Sequence, residues 1–527
     1  MSAEKQTDPQ RMERIVSLCK RRGFIFQSGE IYGGLNGAWD FGPLGVELKR
    51  NLKDYWWRVM VRERDDVVGL DGSILTHRAV LKASGHEDTF ADLMRECGYT
   101  HKRIRADQVT PLSGTELSFF CAESPRDGTK CEFPLPLLIL CREGDHPDSI
   151  RRIARECFAT VAARKLEPDE VKSLKLTEGE PRKVDGSLDF HPETGGRLSE
   201  PRAFNLMFRT NMGASLDEAS IAYLRPETAQ SIFTQFKNVL DTARKKLPFG
   251  IAQIGKAFRN EINPRNYIFR SREFEQMELE YFCAPEDGLR LLDYWLEERL
   301  RFYANIGIPR EKLHVLTVPD ADRAFYSKGT YDIEYEFPFG VQELEGVAYR
   351  TNYDLTQHQN ASGKPLEYFD EETKAKFVPH VVEPSAGVDR TLLALICEAY
   401  AEETVTDEKG KSETRTVMRF HPRMAPVKVG VFPLLKNKPE LVAKAREVHA
   451  LLKSHMMTIY DEGGAIGRRY RRQDEAGTPF GLTIDFATLG ERGDALRDTV
   501  TLRHRDSMKQ ERIAIADLLA TLLPQIR

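Results

Sequence analysis

One stretch, GIAQIGKAFRNEINPRNYIFRSREFEQMELEYF (250–282), constrains this chain more than any other. Two apolar runs flank a polar loop holding Asn263, Pro264, Arg265 and Asn266, which predicts an antiparallel hairpin. It carries Arg259, Arg265, Arg270 and Arg272 together with Glu261, Glu273, Glu275, Glu278 and Glu280. Charge at that density is costly in a core unless each group meets a partner or a ligand. A solvated hairpin with cross-strand ion pairs accounts for the same composition, and at this point both readings stand.

The rest of the chain narrows the class. A length of 527 residues exceeds one hydrophobic core, so two or three domains are expected. No window approaches the roughly 18 apolar residues needed to span a bilayer. The start, MSAEKQTDPQRMERIV, lacks the apolar run of a secretory signal and is poor in serine, so a cytoplasmic protein is expected. Eight cysteines are scattered with no C-x-x-C pair, which argues against a disulfide framework and an obvious structural metal site. The net charge of −4 is uneven: residues 426–527 hold 17 basic and 13 acidic side chains, so the acidic body carries −8. A mildly basic end on an acidic body suits local contact with a polyanion.

Residues 1–90 read as helix, Gly-rich turn and long helix, with Val46, Leu52, Trp56, Val59 and Met60 on one face of GVELKRNLKDYWWRVMV. Residues 107–199 look like an insertion, with short apolar runs (FPLPLLILC), one amphipathic helix (SIRRIARECFATVAARKL) and a charged, turn-rich end (TEGEPRKVDGS). After Pro285 a helix is expected from Leu289, Leu292, Leu296 and Leu300. The segment 401–416 reads as a solvated excursion, and HPRMAP (421–426) as a linker. Beyond it strands and helices alternate, with Leu441, Ala445, Val448, Leu452 and Met456 lining one helix face.

Three further blocks carry chemistry. KFVPHVVEPSAGVDRTLLALICEAY reads as strand, tight turn and apolar helix, with Ser385, Ala386 and Gly387 allowing close backbone approach before a helix N-terminus. VQELEGVAYRTNYDL offers Glu343 and Glu345 on a strand. In LRPETAQSIFTQFKN, Pro226 and Glu227 suit the first turn of a helix, a capping role that is the simple alternative.

Together these blocks resemble the class II aminoacyl-tRNA synthetases. F-R-N-E, a loop and R-E-F look like motif 2; E-P-S-A-G-V-D-R looks like motif 3 in its glycyl form, which has Ser385 where the class has glycine; R-P-E-T is also of glycyl type. Motif 1 is matched to the long helix and DDVVGLDGSIL, without its usual proline. The resemblance implies an α+β synthetase catalytic domain, an antiparallel sheet flanked by helices, over 1–106 and 200–425. It also implies an insertion at 107–199 and a C-terminal α/β anticodon-binding domain at 426–527. Arg259, Glu261 and Arg390 are the implied catalytic residues. ATP is expected against Arg259, Asn260 and Glu261, then Phe269, Arg270, Ser271, Arg272, Glu273 and Phe274, and again at Glu343, Leu344, Gly387, Val388, Asp389 and Arg390. Mg²⁺ is expected on Glu343, since hard carboxylate oxygens suit it. The glycine pocket is expected from Arg105, Glu227 and the run Phe274, Glu275, Gln276, Met277, Glu278, joined by Glu383, Pro384, Ser385, Ala386 and Gly387. The implied partners are glycine, ATP, a glycine-accepting tRNA and a second copy of the chain, with no membrane. Arg468, Arg469, Tyr470, Arg471 and Arg472 are expected to touch RNA. Many relatives carry two C-x-x-C pairs about the insertion. Here Cys97, Thr100, His191 and Thr194 stand in those positions, so no structural zinc is expected. Two alternatives keep parts of the pattern: a class II relative for another amino acid, and a non-enzymatic synthetase-like subunit, which loses the catalytic arginines and glutamates.

Overall fold

The computed structural model describes residues 8–162, 165–214, 217–324, 326–406 and 412–527. The chain forms two compact units, one of residues 1–86 with 207–527 and the other of residues 87–206.

The larger unit is built on a seven-stranded sheet. Its strands are β1 (Val67–Gly69), β2 (Phe249–Phe258), β3 (Glu273–Cys283), β4 (Leu313–Thr317), β5 (Gly329–Phe337), β6 (Gly340–Thr351) and β7 (His380–Gly387). They lie in the order β4-β5-β6-β7-β3-β2-β1, antiparallel except for the β2–β1 pair. The predicted hairpin is β2–β3, paired from Phe249 with Phe282 to Phe258 with Glu273. Residues 259–272 form its connection, longer than the polar loop read from sequence, and Tyr267–Phe269 make a 3₁₀ turn within it.

Because side chains alternate along a strand, β3 serves both faces of the sheet. Met277, Leu279, Tyr281 and Cys283 join the main core, beside α1 (Pro9–Arg22), α2 (Pro43–Trp57), the later helix α4 (Gly288–Ile306) and α6 (Val388–Ala399). Phe282 faces the other way, into a cluster with Phe233 and Phe236 of α3 (Ala229–Ala243) and Leu355 of α5 (Tyr353–Ser362). A fully buried phenylalanine contributes about 1.5–3 kcal/mol, so each face holds its helices independently. Asp8 caps α1 by accepting from the Arg11 N–H at 2.9 Å, and Gly23, with φ of 73°, ends the helix in the left-handed conformation that glycine favours.

Two helix faces differ from their sequence reading. On α2 the buried residues are Gly45, Leu48, Leu52, Tyr55 and Trp56, whereas Val46 is exposed. Tyr55 and Gly45 set the stripe one position away from that valine. On α4 Leu289 is exposed, and the buried stripe runs through Leu292, Trp295, Arg299, Phe302 and Tyr303. The large aromatic residues define this face better than leucine spacing does. Arg299 lies fully buried within it, 2.5 Å from Glu345 of β6 and with its guanidinium 4.3 Å from the Phe302 ring centre.

The 401–416 excursion is a hairpin of β8 (Tyr400–Thr406) and β9 (Ser412–Met418); its tip, 407–411, lies outside the described residues. It is less solvated than its composition suggests. Arg415 is buried, pairs with Glu403 and donates to Asp474 Oδ2 at 2.9 Å.

The terminal domain has β10 (Val429–Pro433), α7 (Pro439–Lys453), β11 (Thr458–Tyr460), α8 (Ile466–Ala476), β12 (Phe480–Ile484), β13 (Thr499–His504), β14 (Gln510–Ala514) and α9 (Leu518–Ile526). Its sheet runs β11-β10-β12-β13-β14. Leu441, Ala445, Val448, Leu452 and Met456 all face its core, as their spacing predicts. The basic run does not form one RNA-facing stripe. Arg469 is buried and donates to the Gly464 and Pro433 carbonyls, Tyr470 packs edge-on against Phe432, and Arg472 pairs with Asp461. Arg468 is exposed, as helical periodicity requires of one residue in four.

The second unit, Glu87–Leu206, contains a four-stranded sheet. Strand Leu112–Glu123 pairs with Lys130–Arg142, Lys175–Glu178 and Arg182–Ser187, and helix Pro147–Val161 packs Ile150, Ala154 and Phe158 against it. The sequence pattern predicts this helix through Leu166, but it ends at Val161, where Ala162 turns to extended backbone; residues 163 and 164 lie outside the described residues. The charged stretch 177–187, expected as turns, is mostly two strands, since edge strands tolerate charge on their open sides. At the base of the unit Cys97 Sγ lies 3.4 Å from Thr194 Oγ1, Tyr99 donates to the Thr194 carbonyl at 2.7 Å, and His191 Nδ1 accepts from the Glu193 N–H at 3.2 Å. Among the described residues, no helix is long and apolar enough to cross a membrane.

Candidate active site

The charged face of the β2–β3 hairpin opens onto a cleft of about 190 Å³. Arg259, just past β2, donates to the Pro226 carbonyl at 3.1 Å and lies 5.4 Å from the Phe274 ring centre. Across the cleft Arg390, in the first turn of α6, stands 4.5 Å from the Phe269 ring centre and 3.4 Å from Glu343 Oε2. Glu261 is held by Arg270 at 3.5 Å, and the hydroxyl of the buried Ser271 has no hydrogen-bond partner among the described residues. Gln276, Leu344, Ser385 and Gly387 complete the lining. Two guanidinium groups, each backed by an aromatic ring, make this cleft suited to phosphate oxygens.

Beside it lies a cage of acids. Glu278 Oε1 accepts from Ser385 Oγ at 2.8 Å and from Gln276 Nε2 at 2.7 Å, and its other oxygen takes the Thr228 hydroxyl. Glu383 accepts two hydrogen bonds from Arg350, at 2.8 and 3.0 Å, and the same guanidinium grips Asp354 through two more at 2.9 Å. Glu227 accepts from Gln230 at 2.9 Å and faces His86 at 3.4 Å. Burial, with Glu383 and Glu227 nearby, pushes Glu278 up to about 7. Burial likewise raises Glu280, the next residue on that face, whose two oxygens have no hydrogen-bond partner among the described residues. Burial opposes ionisation of Glu227 too, but His86, Arg350 and Gln230 outweigh it and hold this carboxyl well below the usual range. Carboxylates in excess of cations around a hydroxyl suit a small ammonium guest.

The remaining expected residues divide by strand face and position. Met277, Ala386 and Val388 point into the core. Glu275 and Asp389 border the cleft but share Lys49 of α2, each at 2.8 Å. Pro384 pairs with Val347 inside the sheet. Asn260 does not line the cleft; Glu273 pairs with exposed Lys256; Arg272 donates to the Glu261 and Asn36 carbonyls. Arg105 belongs to the second unit, where it pairs with Asp92 at 3.4 Å and Asp107 at 2.7 Å. Sequence reading missed Arg350, Asp354 and His86. The four-residue step from Arg350 to Asp354 was the available signal for the first two, but the strand–helix junction hid it. The rim at Glu343 is rich in hard oxygen donors: burial and the charges of Glu343 and Glu334 push Asp332 up to about 6, so a cation there relieves mutual repulsion.

Comparison with known proteins agrees with this geometry. The family described as tRNA synthetase class II core domain (G, H, P, S and T) matches residues 213–400, and the anticodon binding domain family matches residues 428–525. Curated relatives include the glycine–tRNA ligase of Rhodopirellula baltica, 44% identical over 98% of this chain and 99% of the relative. The glycine–tRNA ligase of Thermus thermophilus is 46% identical over 98% and 99%, and that of Thermobifida fusca 46% over 96% of each. On similarity that runs from end to end and matches both domains, this chain belongs to the glycine–tRNA ligases, as a class II synthetase core carrying a C-terminal anticodon-binding domain.

Proposed function

We propose that the cleft and cage together activate glycine with ATP and pass it to the 3′ end of its tRNA. The observation that carries this reading is the junction of the two subsites: Ser385 and Gln276 line the phosphate-suited cleft and both donate to Glu278 of the cage. Glycine has one end for each. Its ammonium enters among Glu227, Glu278 and Glu383, and its carboxylate meets the ATP α-phosphate beside Arg259. A carboxylate oxygen attacks the α-phosphorus, the bond to the β-phosphate oxygen breaks, and pyrophosphate leaves. The tRNA 3′-hydroxyl then attacks the carbonyl of the mixed anhydride, with AMP as leaving group. No side chain becomes covalently attached. Arg259 and Arg390 stabilise charge on the phosphates, Phe274 stacks on adenine, and Glu261 orients the base. Mg²⁺ held by Glu343 and the phosphates would neutralise charge on the departing pyrophosphate.

The wider reading has the catalytic domain over 1–106 and 200–425, the insertion over 107–199 and the tRNA-reading domain over 426–527. Arg105 enters this reading as a glycine contact on the family resemblance alone. A cytoplasmic homodimer without structural zinc completes it, with the Cys97–Thr194 and Tyr99–Thr194 contacts standing where a metal would hold the insertion. Stoichiometric zinc in protein purified without chelator refutes that last point. The main test is ATP–pyrophosphate exchange with each amino acid in turn. Glycine alone should support it, and Arg259→Ala or Arg390→Ala should suppress it in folded protein; alanine or serine working as well as glycine overturns the reading.

A further inference from the structure

His86 has no part in the reaction steps above, yet its imidazole stands against Glu227 of the cage. Its Nε2 faces Glu227 Oε2 at 3.4 Å, and its Nδ1 lies 2.8 Å from the hydroxyl of Ser84, the residue that ends the short helix Arg78–Ala83. Both side chains of the His86–Glu227 pair are about 15% exposed, at 13% and 16%. The second oxygen of Glu227 accepts from Gln230, whose own oxygen lies 2.9 Å from His358 Nε2 on α5. Each oxygen of Glu227 therefore already has a donor, and a cation arriving at this carboxylate meets His86 first.

We infer that His86 is a positioning residue that acts as stand-in counter-ion for Glu227, and that glycine binding displaces its proton, so the ammonium replaces the imidazolium. The inference rests on the reading that the cage takes the glycine ammonium. Two cations on one largely buried carboxylate repel each other, and losing the proton relieves this at the cost of one long hydrogen bond, from the Ser84 hydroxyl to the Leu81 carbonyl at 3.3 Å. Neutral His86 still donates from Nε2 to Glu227, while Nδ1 accepts from the Ser84 hydroxyl. The charges around the ring support the exchange. Burial disfavours the imidazolium, but Glu227 outweighs it, and against Arg350 and Arg259 the balance raises His86 above the ordinary histidine value. His358 is pushed the opposite way by burial and stays neutral. Asp354 is committed to Arg350; burial raises Glu383, Glu280 and Glu278 alike, but Glu383 keeps the Arg350 guanidinium, and it is Glu278, bonded to Ser385, that is placed to give up a proton as an ammonium arrives.

The sign follows from linkage: glycine binds better as pH rises through the raised value of His86, and each displaced proton contributes up to a tenfold change in KM per pH unit. Exchange kinetics between pH 6 and 7 should show the wild-type KM for glycine falling by more than tenfold, because His86 and Glu278 both titrate. In His86→Gln, whose amide still donates to Glu227 but cannot be charged, the fall should be tenfold or less. The KM of this variant at pH 6 should lie below that of the wild type, a gain that a merely structural role does not produce. An unchanged slope in His86→Gln overturns the inference, as does an equal rise of the KM values for glycine and ATP at every pH. If the variant does not fold, histidine Cε1 NMR of the wild type decides. Saturating glycine at pH 6.5 should shift one buried histidine toward its neutral form, and no shift overturns the inference. Absence of glycine-dependent exchange in the wild type at any pH instead overturns the parent reading.

Discussion

Lys49 offers the most direct test of how the site is held. Its ammonium lies 2.8 Å from both Glu275 of β3 and Asp389 of α6, and 4.1 Å from the Phe41 ring centre. Asp389 also accepts from the Glu275 N–H at 2.7 Å and immediately precedes Arg390. One lysine on α2 thus ties together the helix, strand and turn that resemble the three class II motifs. The groups are 11%, 12% and 7% exposed, so solvent screens them little. Burial works against the charge on Lys49, yet Asp389 and Glu275 outweigh it and raise its value, so it stays charged at neutral pH. Lys49→Met leaves Asp389 without a cation, while Glu275 keeps Lys53 at 3.0 Å. Stranding one carboxylate of a buried pair costs about 3–5 kcal/mol. At an unfolding entropy of about 2.1 cal/mol/K per residue, a body of about 400 residues shifts by roughly 1 °C per kcal/mol, so Tm should fall by about 3–6 °C. The KM for ATP should rise at the same time, because the turn that aims Arg390 loses its anchor. Lys49→Met with Asp389→Asn should recover part of the Tm loss. A single variant that melts within 2 °C of wild type with an unaltered KM for ATP refutes the reasoning.

Two further outcomes are expected. Arg350→Met strands Glu383 and Asp354 together, so it should raise the KM for glycine at least tenfold, with Arg350→Lys recovering only part; a wild-type KM in Arg350→Met refutes this. Burial, aided by Arg423, pushes Lys428 down to about 7 against roughly 10.4 unfolded, so the unfolded chain binds more protons between those values. Thermal stability should therefore rise with pH across that window and rise less in Lys428→Met, and an equal slope in both proteins rules the effect out.

The hairpin, the order of the motif blocks and the α7 face were legible because each follows from local pattern: apolar runs about a polar loop, small residues before a helix, or a 3.6-residue period. Pairings across the sheet were not legible. Arg350 reads as one more strand arginine until β6 pairs with β7 and brings it onto Glu383. His86 sits nowhere near Glu227 in sequence. Glu275 and Glu278 look equivalent on paper, yet one meets Lys49 in front of α2 and the other Ser385 in the cage, because their odd separation puts them on opposite faces. The run at 468–472 misled for a related reason: composition counts arginines, while helix geometry sends Arg469 inward to backbone carbonyls.

The division of labour along β3 also limits how this enzyme can change over generations. Phe274, Gln276, Glu278 and Glu280 look toward the cleft or the acid cage beside it, and Glu275, Met277, Leu279 and Tyr281 look toward the α2 and core side. Inserting or deleting one residue anywhere inside the strand would swap the two sets downstream, putting glutamates under α4 and a leucine in the cage. Length variation is therefore confined to loops away from the cleft, because the 259–272 connection itself carries Arg259, Glu261, Phe269, Arg270 and Ser271, while the strand can drift only by replacement. A library that randomises the length of loops outside the cleft leaves the chemistry standing, whereas a one-codon slip within 273–283 destroys pocket and core at once.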